Sequence, residues 1–155
     1  MEQYLRPINQ KQAVNVLGFI EATQDEAVKR DIFGQLGTEC FRLGHSKELE
    51  IDANDNIEKI MNLVNIEKKH PSWEKLEFNE NKTILYLTGK PVEGKPYCPC
   101  SFGRGENPPK SLCFYCCKAF QEQLWSMVFK RKVTVEIPQS KIFGDNRCNH
   151  VIHLL

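Results

Sequence analysis

Five of the seven cysteines fall within the twenty residues from Cys98 to Cys117, which read CPCSFGRGENPPKSLCFYCC. Cys98 and Cys100 form a Cys-x-Cys arm, and twelve residues further on Cys113 and Cys116 form a Cys-x-x-Cys arm extended by Cys117. Two short arms joined by a loop can meet at one point, as a tetrahedral thiolate site requires. Cys148 follows after a further helix and strand. The expected metal ligands are therefore Cys98, Cys100, Cys113 and Cys116, with Cys117 and Cys148 as alternates. Zinc suits this set because four thiolates satisfy it without redox support, and an iron–sulfur cluster, which also takes four thiolates, stands second.

The same residues are open to other chemistry. Free cysteine is among the most buried residue types, so Cys113, Cys116 and Cys117 also read as apolar positions of a helix. A disulfide from Cys98 to Cys113 or Cys116 would tie a loop to that helix and act as a redox switch, whereas one from Cys113 to Cys116 would constrain a single turn. Cys113 as a nucleophile with His150 as its base would make a cysteine-dependent hydrolase, although no oxyanion site or orienting third group is legible. The glycines between Ser101 and Gly105 lack the Gly-Lys-Ser/Thr ending and the preceding strand of a phosphate loop, which excludes nucleotide binding on that motif. Arg104 and Lys110 are free to neutralise thiolates or an anion, or to be solvated.

The elements that must position these residues follow from periodicity. Val14, Leu17 and Ile20 or Phe19 predict an amphipathic helix over 8–22. Thr23 to Glu26 reads as a capping box for a second helix, with Ala27, Val28, Ile32, Leu36, Cys40 and Leu43 on its apolar face and an end near Gly44. Gly37 would let another backbone approach that helix. Cys40 is then either a small buried hydrophobe or an extra partner for the cluster. Asp55 to Glu58 offers a cap for a third helix whose stripe is Ile57, Ile60, Met61 and Val64, ending by His70-Pro71. His70 reads as a solvated helix-end residue.

From Leu76 the period changes to two, predicting a hairpin that turns at Glu80 to Lys82. Ser111 is expected to cap a long helix from Leu112 to Phe129, placing Cys113 in a first turn whose amides should lower its pKa. Cys113, Cys116 and Cys117 then share one face, continued by Phe120, Leu124 and Val128. The tail reads as strands over Lys132 to Ile137, Ser140 to Phe143 and Arg147 to Leu154, with a Gly144-Asp-Asn turn. Cys148 and His150 would face the cysteine-bearing helix.

Length and composition set the frame. At 155 residues the chain can bury a core without help from disulfides, and it is expected to be a single domain over 1–155, helical over 1–70 and cysteine-rich α+β over 71–155. A net charge of +1 argues against nucleic-acid and membrane-surface partners. With neither a leader nor a membrane span legible, the expected location is the cytoplasm, where seven cysteines are thiols, ligands or a switch in preference to a disulfide framework.

Gly37-Thr-Glu-Cys40, Cys98-Pro-Cys100, Cys113-Phe-Tyr-Cys116, Lys132 to Glu136 and Gly144-Asp-Asn-Arg-Cys148 resemble a bacterial family of cysteine-rich proteins. The chain is similar to the aminothiazoline-carboxylate hydrolase-like proteins and, more distantly, to 4-vinyl reductase type sensory domains. The resemblance covers 95–155 well and the first half only through its helices. It implies an α+β fold with a small-molecule pocket and a zinc held partly by two cysteines flanking the Gly-Asp turn. Here the second of these is Cys148, but the first position holds Ser140, a poor zinc ligand.

The combined expectation is an α+β protein with N-terminal helices, an antiparallel sheet of about four or five strands and a long cysteine-bearing helix. Its function is to bind a metal, with zinc first, and an unidentified small molecule as a binding or sensing module. A metal- or cysteine-dependent hydrolase and a thiol redox switch are the alternatives. With no signalling domain in the sequence, a sensor would need a homodimer or a partner protein.

Overall fold

The computed structural model describes residues 9–43, 56–91, 100–104 and 107–155. Cys98, most of the loop that follows the hairpin, Gly44 and Asp55 lie outside the described residues. The chain is α+β, as expected: among the described residues there are four α-helices and a four-stranded antiparallel sheet in the order β1-β2-β4-β3.

Helix α1 spans Gln10–Thr23 and opens on a capping box, in which Asn9 accepts from the Gln12 amide and Gln12 returns the bond to the Asn9 amide. Helix α2 spans Glu26–Leu43. Its cap is Asp25, whose Oδ1 accepts from the Val28 amide at 2.9 Å, and not Thr23, whose hydroxyl instead donates to the Phe19 carbonyl of α1. A carboxylate next to the helix meets the orphan amides and the positive end of the dipole together, so it outcompetes a hydroxyl two residues earlier. The buried face of α2 is also turned by about one residue from expectation: Phe33 and Gly37 are buried, whereas Ala27, Ile32 and Leu43 are exposed.

Helix α3 spans Ile57–Met61, capped by Asn56, and runs into a π-helical turn at Asn62–Ile66. Ile60 and Val64 are buried against the sheet, as the stripe predicts. His70, expected in solvent, is only 2% exposed. Its Nδ1 accepts from the amides of Ser72 and Trp73, both at 3.1 Å, so the ring terminates the helix connection and starts the first strand.

Strands β1 (Trp73–Phe78) and β2 (Ile84–Gly89) form the expected hairpin. Asn79 organises the turn by accepting from the amides of Thr83 and Ile84. Helix α4 spans Lys118–Phe129, and β3 (Val133–Gln139) and β4 (Asn149–Leu154) complete the sheet. Ser140 to Phe143 is not a strand. Ser140 accepts from the Ile142 amide and closes a 3-10 turn at Lys141–Phe143, so the chain reverses before it can pair.

Among the described residues, two apolar clusters result. The larger joins Leu76, Leu85, Leu87, Val135 and Ile152 of the sheet to Trp125 of α4 and to Ile60 and Val64. Truncating Trp125, fully buried, to Ala would cost about 3–5 kcal/mol. The smaller joins Leu17 of α1, Phe33 of α2, Leu112 and Cys116. Of the cysteines, Cys116 belongs to this second cluster.

Candidate functional site

The cysteine-bearing segment Leu112–Cys117 is a π-helix that leads into α4, not the first turns of an ordinary α-helix. Ser111 makes no capping bond and is buried; the segment is started by backbone bonds from Leu112 to Pro109 and from Cys113 to Lys110. A π turn is wider than an α turn, and such turns are frequent at functional sites. Here Cys113 and Cys116, both buried, serve two different neighbourhoods.

Cys113 meets the turn after β3. Its Sγ lies 2.8 Å from the Oγ of Ser140, which is fully buried. The Ser140 amide donates to Asp145 Oδ2 at 2.9 Å, and the Lys141 amide points at the Sγ of Cys148, 3.5 Å away. The carbonyl of Cys148 in turn accepts from the Gly89 amide at 2.8 Å, where a Cβ on Gly89 would lie 2.3 Å from that oxygen. Cys113, Ser140 and Cys148 are thereby held as one group between α4 and the sheet.

Cys116 meets α2 and the turn at 100–104. A Cβ on Gly37 would lie 2.1 Å from the carbonyl oxygen of Cys116, so the expected close approach takes place at Gly37. One turn later on α2, the half-buried Cys40 thiol is near enough to Cys116 for each to perturb the other's titration. Cys100, half-buried at the start of the 3-10 turn Ser101–Arg104, adds its field to Cys116, Cys40 and Cys113. Cys40 is thus a half-buried thiol that borders the cluster. Cys40, Cys100, Cys113, Cys116 and Cys148 are all thiols outside any disulfide, and Cys117 is half-buried beside them.

The electrostatics oppose the expected thiolate at Cys113. Burial pushes its pKa up to about 11, against a smaller lowering by the Ser140 hydrogen bond. Burial also drives the Cys116 thiol far above its usual range, with Cys100 and Cys40 adding to the effect, and it raises Cys40. The segment's own amides are spent on backbone bonds, so the dipole has little left to offer a thiolate.

Among the described residues, no group of three or more His, Cys, Asp or Glu is arranged to hold a metal ion. Cys98, one of the four first-choice ligands, lies outside them.

His150 faces inward from β4, but toward Trp73 and not Cys113: the two rings stand edge to face at 4.9 Å. Its Nδ1 is buried without a hydrogen-bond partner, and burial lowers the ring's pKa to about 4. The nucleophile and base of the hydrolase reading are not hydrogen-bonded to each other. A surface depression of roughly 430 Å3, lined by Arg30, Asp31, Gly34, Gln35, Thr38 and Glu39, belongs to α2 alone.

No family model matches this chain, and no curated protein matches it in sequence. Among solved structures, the fold is similar to the phenol-responsive sensory domain of the transcription activator PoxR, solved with phenol: TM-score 0.52, 8% identity, covering 99% of this chain and 78% of that one. A looser superposition, TM-score 0.42 at 11% identity over 96% of each chain, relates it to a trafficking protein particle complex subunit 3 from Naegleria fowleri covalently bound to palmitic acid. At 8% identity the likeness to the PoxR domain is one of fold alone, and it lies on the side of the more distant of the two resemblances. No family match stands behind the nearer one, to the hydrolase-like proteins. No helix among the described residues is long and apolar enough to cross a membrane.

Proposed function

We propose that this chain is a small-molecule-binding module of the sensory kind. The likeness of fold to a phenol-responsive domain supports the class. The observation that carries the reading within this chain is the orphaned Nδ1 of His150, buried against Trp73. A buried polar atom without a partner costs about 1–3 kcal/mol. A small, mainly apolar molecule with one hydroxyl would recover that bond while its body remained in apolar surroundings. The ligand class is therefore a hydroxylated aromatic or a similar compact alcohol.

Titration with phenol, benzyl alcohol and benzoate, followed by tryptophan fluorescence and by melting temperature, tests this reading. A saturable response to the hydroxylated aromatics is expected, because Trp73 touches the proposed contact. It should be lost in His150→Phe, with the fold checked by circular dichroism. A wild type without saturable binding, or binding unchanged in the variant, would remove the reading.

A structural zinc is the second reading, favoured by the meeting of Cys113, Ser140 and Cys148 around the Gly-Asp turn where the resembled family places its metal. Cys98 and Cys100 would have to complete the set. Turnover at Cys113 has less support, since its partner is a neutral hydroxyl, which is a poor base.

A further inference from the structure

We infer that Cys40 and Cys116 are the two halves of a reversible dithiol–disulfide switch that locks α2 onto the start of α4. Cys40 lies one turn beyond the point where Gly37 of α2 packs on the Cys116 backbone, and the two thiols are near enough to perturb each other's titration. The backbone beneath them cannot drift apart locally, because Gly37, one turn before Cys40, is packed on the Cys116 carbonyl. Tyr115 donates to Glu26 at 2.6 Å, and Phe41 stacks edge-on against Phe120 at 5.8 Å, so the same helix pair is pinned on both sides of the thiols. Disulfides demand a close approach of the two backbones, and this contact supplies it.

This pairing differs from a bridge within the cysteine-bearing segment. Cys113 and Cys116 lie on one turn, and joining them would constrain nothing else. Cys40 and Cys116 lie on elements far apart in sequence, and joining them closes a long loop of the chain. The proposal does not depend on the ligand-binding reading.

The oxidant is a low-molecular-weight disulfide such as glutathione disulfide. Cys40, the more exposed of the pair, attacks as its thiolate, breaking the reagent's S–S bond and releasing one glutathione. Cys116 gives up its proton and attacks the mixed disulfide at Cys40, and the second glutathione leaves. One S–S bond is broken and one formed, two protein thiols are oxidised, and the two glutathiones carry away the two protons.

The test incubates the full chain, with chelator present, in excess glutathione disulfide. It is then quenched in acid, alkylated and digested for peptide mass spectrometry. A Cys40–Cys116 crosslinked peptide is expected as the main bridge, reversed by dithiothreitol. The oxidised protein should gain on the order of 1 M in urea midpoint. Cys40→Ser, a change at a half-buried position, should abolish both the crosslink and the gain while keeping the reduced midpoint near wild type. Bridges that omit Cys40, or glutathione adducts without any Cys40–Cys116 bridge, would overturn the proposal. So would a midpoint gain that persists in Cys40→Ser.

Discussion

Gly37 of α2 rests on the carbonyl of Cys116, so closely that even a methyl group there would fall 2.1 Å from the oxygen. The oxygen belongs to the backbone and cannot swing aside as a side chain would. Gly37→Ala must push α2 away from the cysteine-bearing segment, and overpacking of this kind costs about 1–3 kcal/mol or more. Chemical denaturation should show that loss. Gly34→Ala, with open space around its Cβ, should lose nothing and gain about 0.5–1 kcal/mol from helix propensity. Equal midpoints for the two variants would contradict the close contact.

Ser140→Cys places a thiol beside Cys113 and near Cys148, at the position where the resembled family has its first cysteine. Under reducing conditions the variant is expected to retain about one zinc per chain through dialysis against a weak chelator, as three or four thiolates would allow. The wild type should retain less. Elemental analysis of the two proteins side by side decides this, and equal zinc retention would remove Ser140 from the metal argument.

Thiol reactivity should follow burial. A rise from the usual 9.0 to about 11 removes two decades of thiolate from Cys113 at neutral pH. Alkylation of Cys113 at pH 7.5 is therefore expected to be about 100-fold slower in the folded chain than in urea, with Cys116 slower still. Peptide-resolved iodoacetamide labelling measures both. Fast native labelling at Cys113 would show a thiolate and restore the nucleophile reading.

His150 makes stability depend on pH with a definite sign. Its folded pKa of about 4 lies below the 6.5 of an exposed ring, so the unfolded chain binds the extra proton first as pH falls. Stability is full above about pH 6.5 and is lost progressively toward pH 4. Between pH 7.5 and pH 5 the loss is about 2 kcal/mol. His150→Phe should flatten that slope, which urea midpoints at the two pH values would reveal.

Much of this arrangement is legible in the chain. The period of two finds the hairpin, the stripe of Ile57, Ile60, Met61 and Val64 finds α3, and Gly37 announces a close backbone contact. What escapes has physical causes. Ile32 and Phe33 are both apolar, and only the contact with Leu112 and Cys116 selects Phe33 as the inward residue. The π turn at Leu112–Cys117 changes which carbonyl each amide reaches, which hydrophobic spacing does not encode. His70 is buried because two amides, at Ser72 and Trp73, converge on its ring nitrogen, and a histidine before a proline carries no sign of that. The nearness of Cys40 to Cys116 joins positions separated by about half of the chain, so nothing local to Cys40 could decide it.

The strand order leaves β1 and β3 as the two borders of the sheet among the described residues. Each is poorly suited to recruit another strand. The ladder of β1 breaks register between Trp73 and Lys75, and its outer face carries the Lys75–Glu77 ion pair. β3 is irregular between Glu136 and Gln139, where Pro138 has no amide to donate. Bulges, charges and prolines at sheet borders oppose edge-to-edge growth. Neither border therefore offers another strand a regular run of amides and carbonyls, and the pairing seen in the sheet ends at β1 and β3 among the described residues.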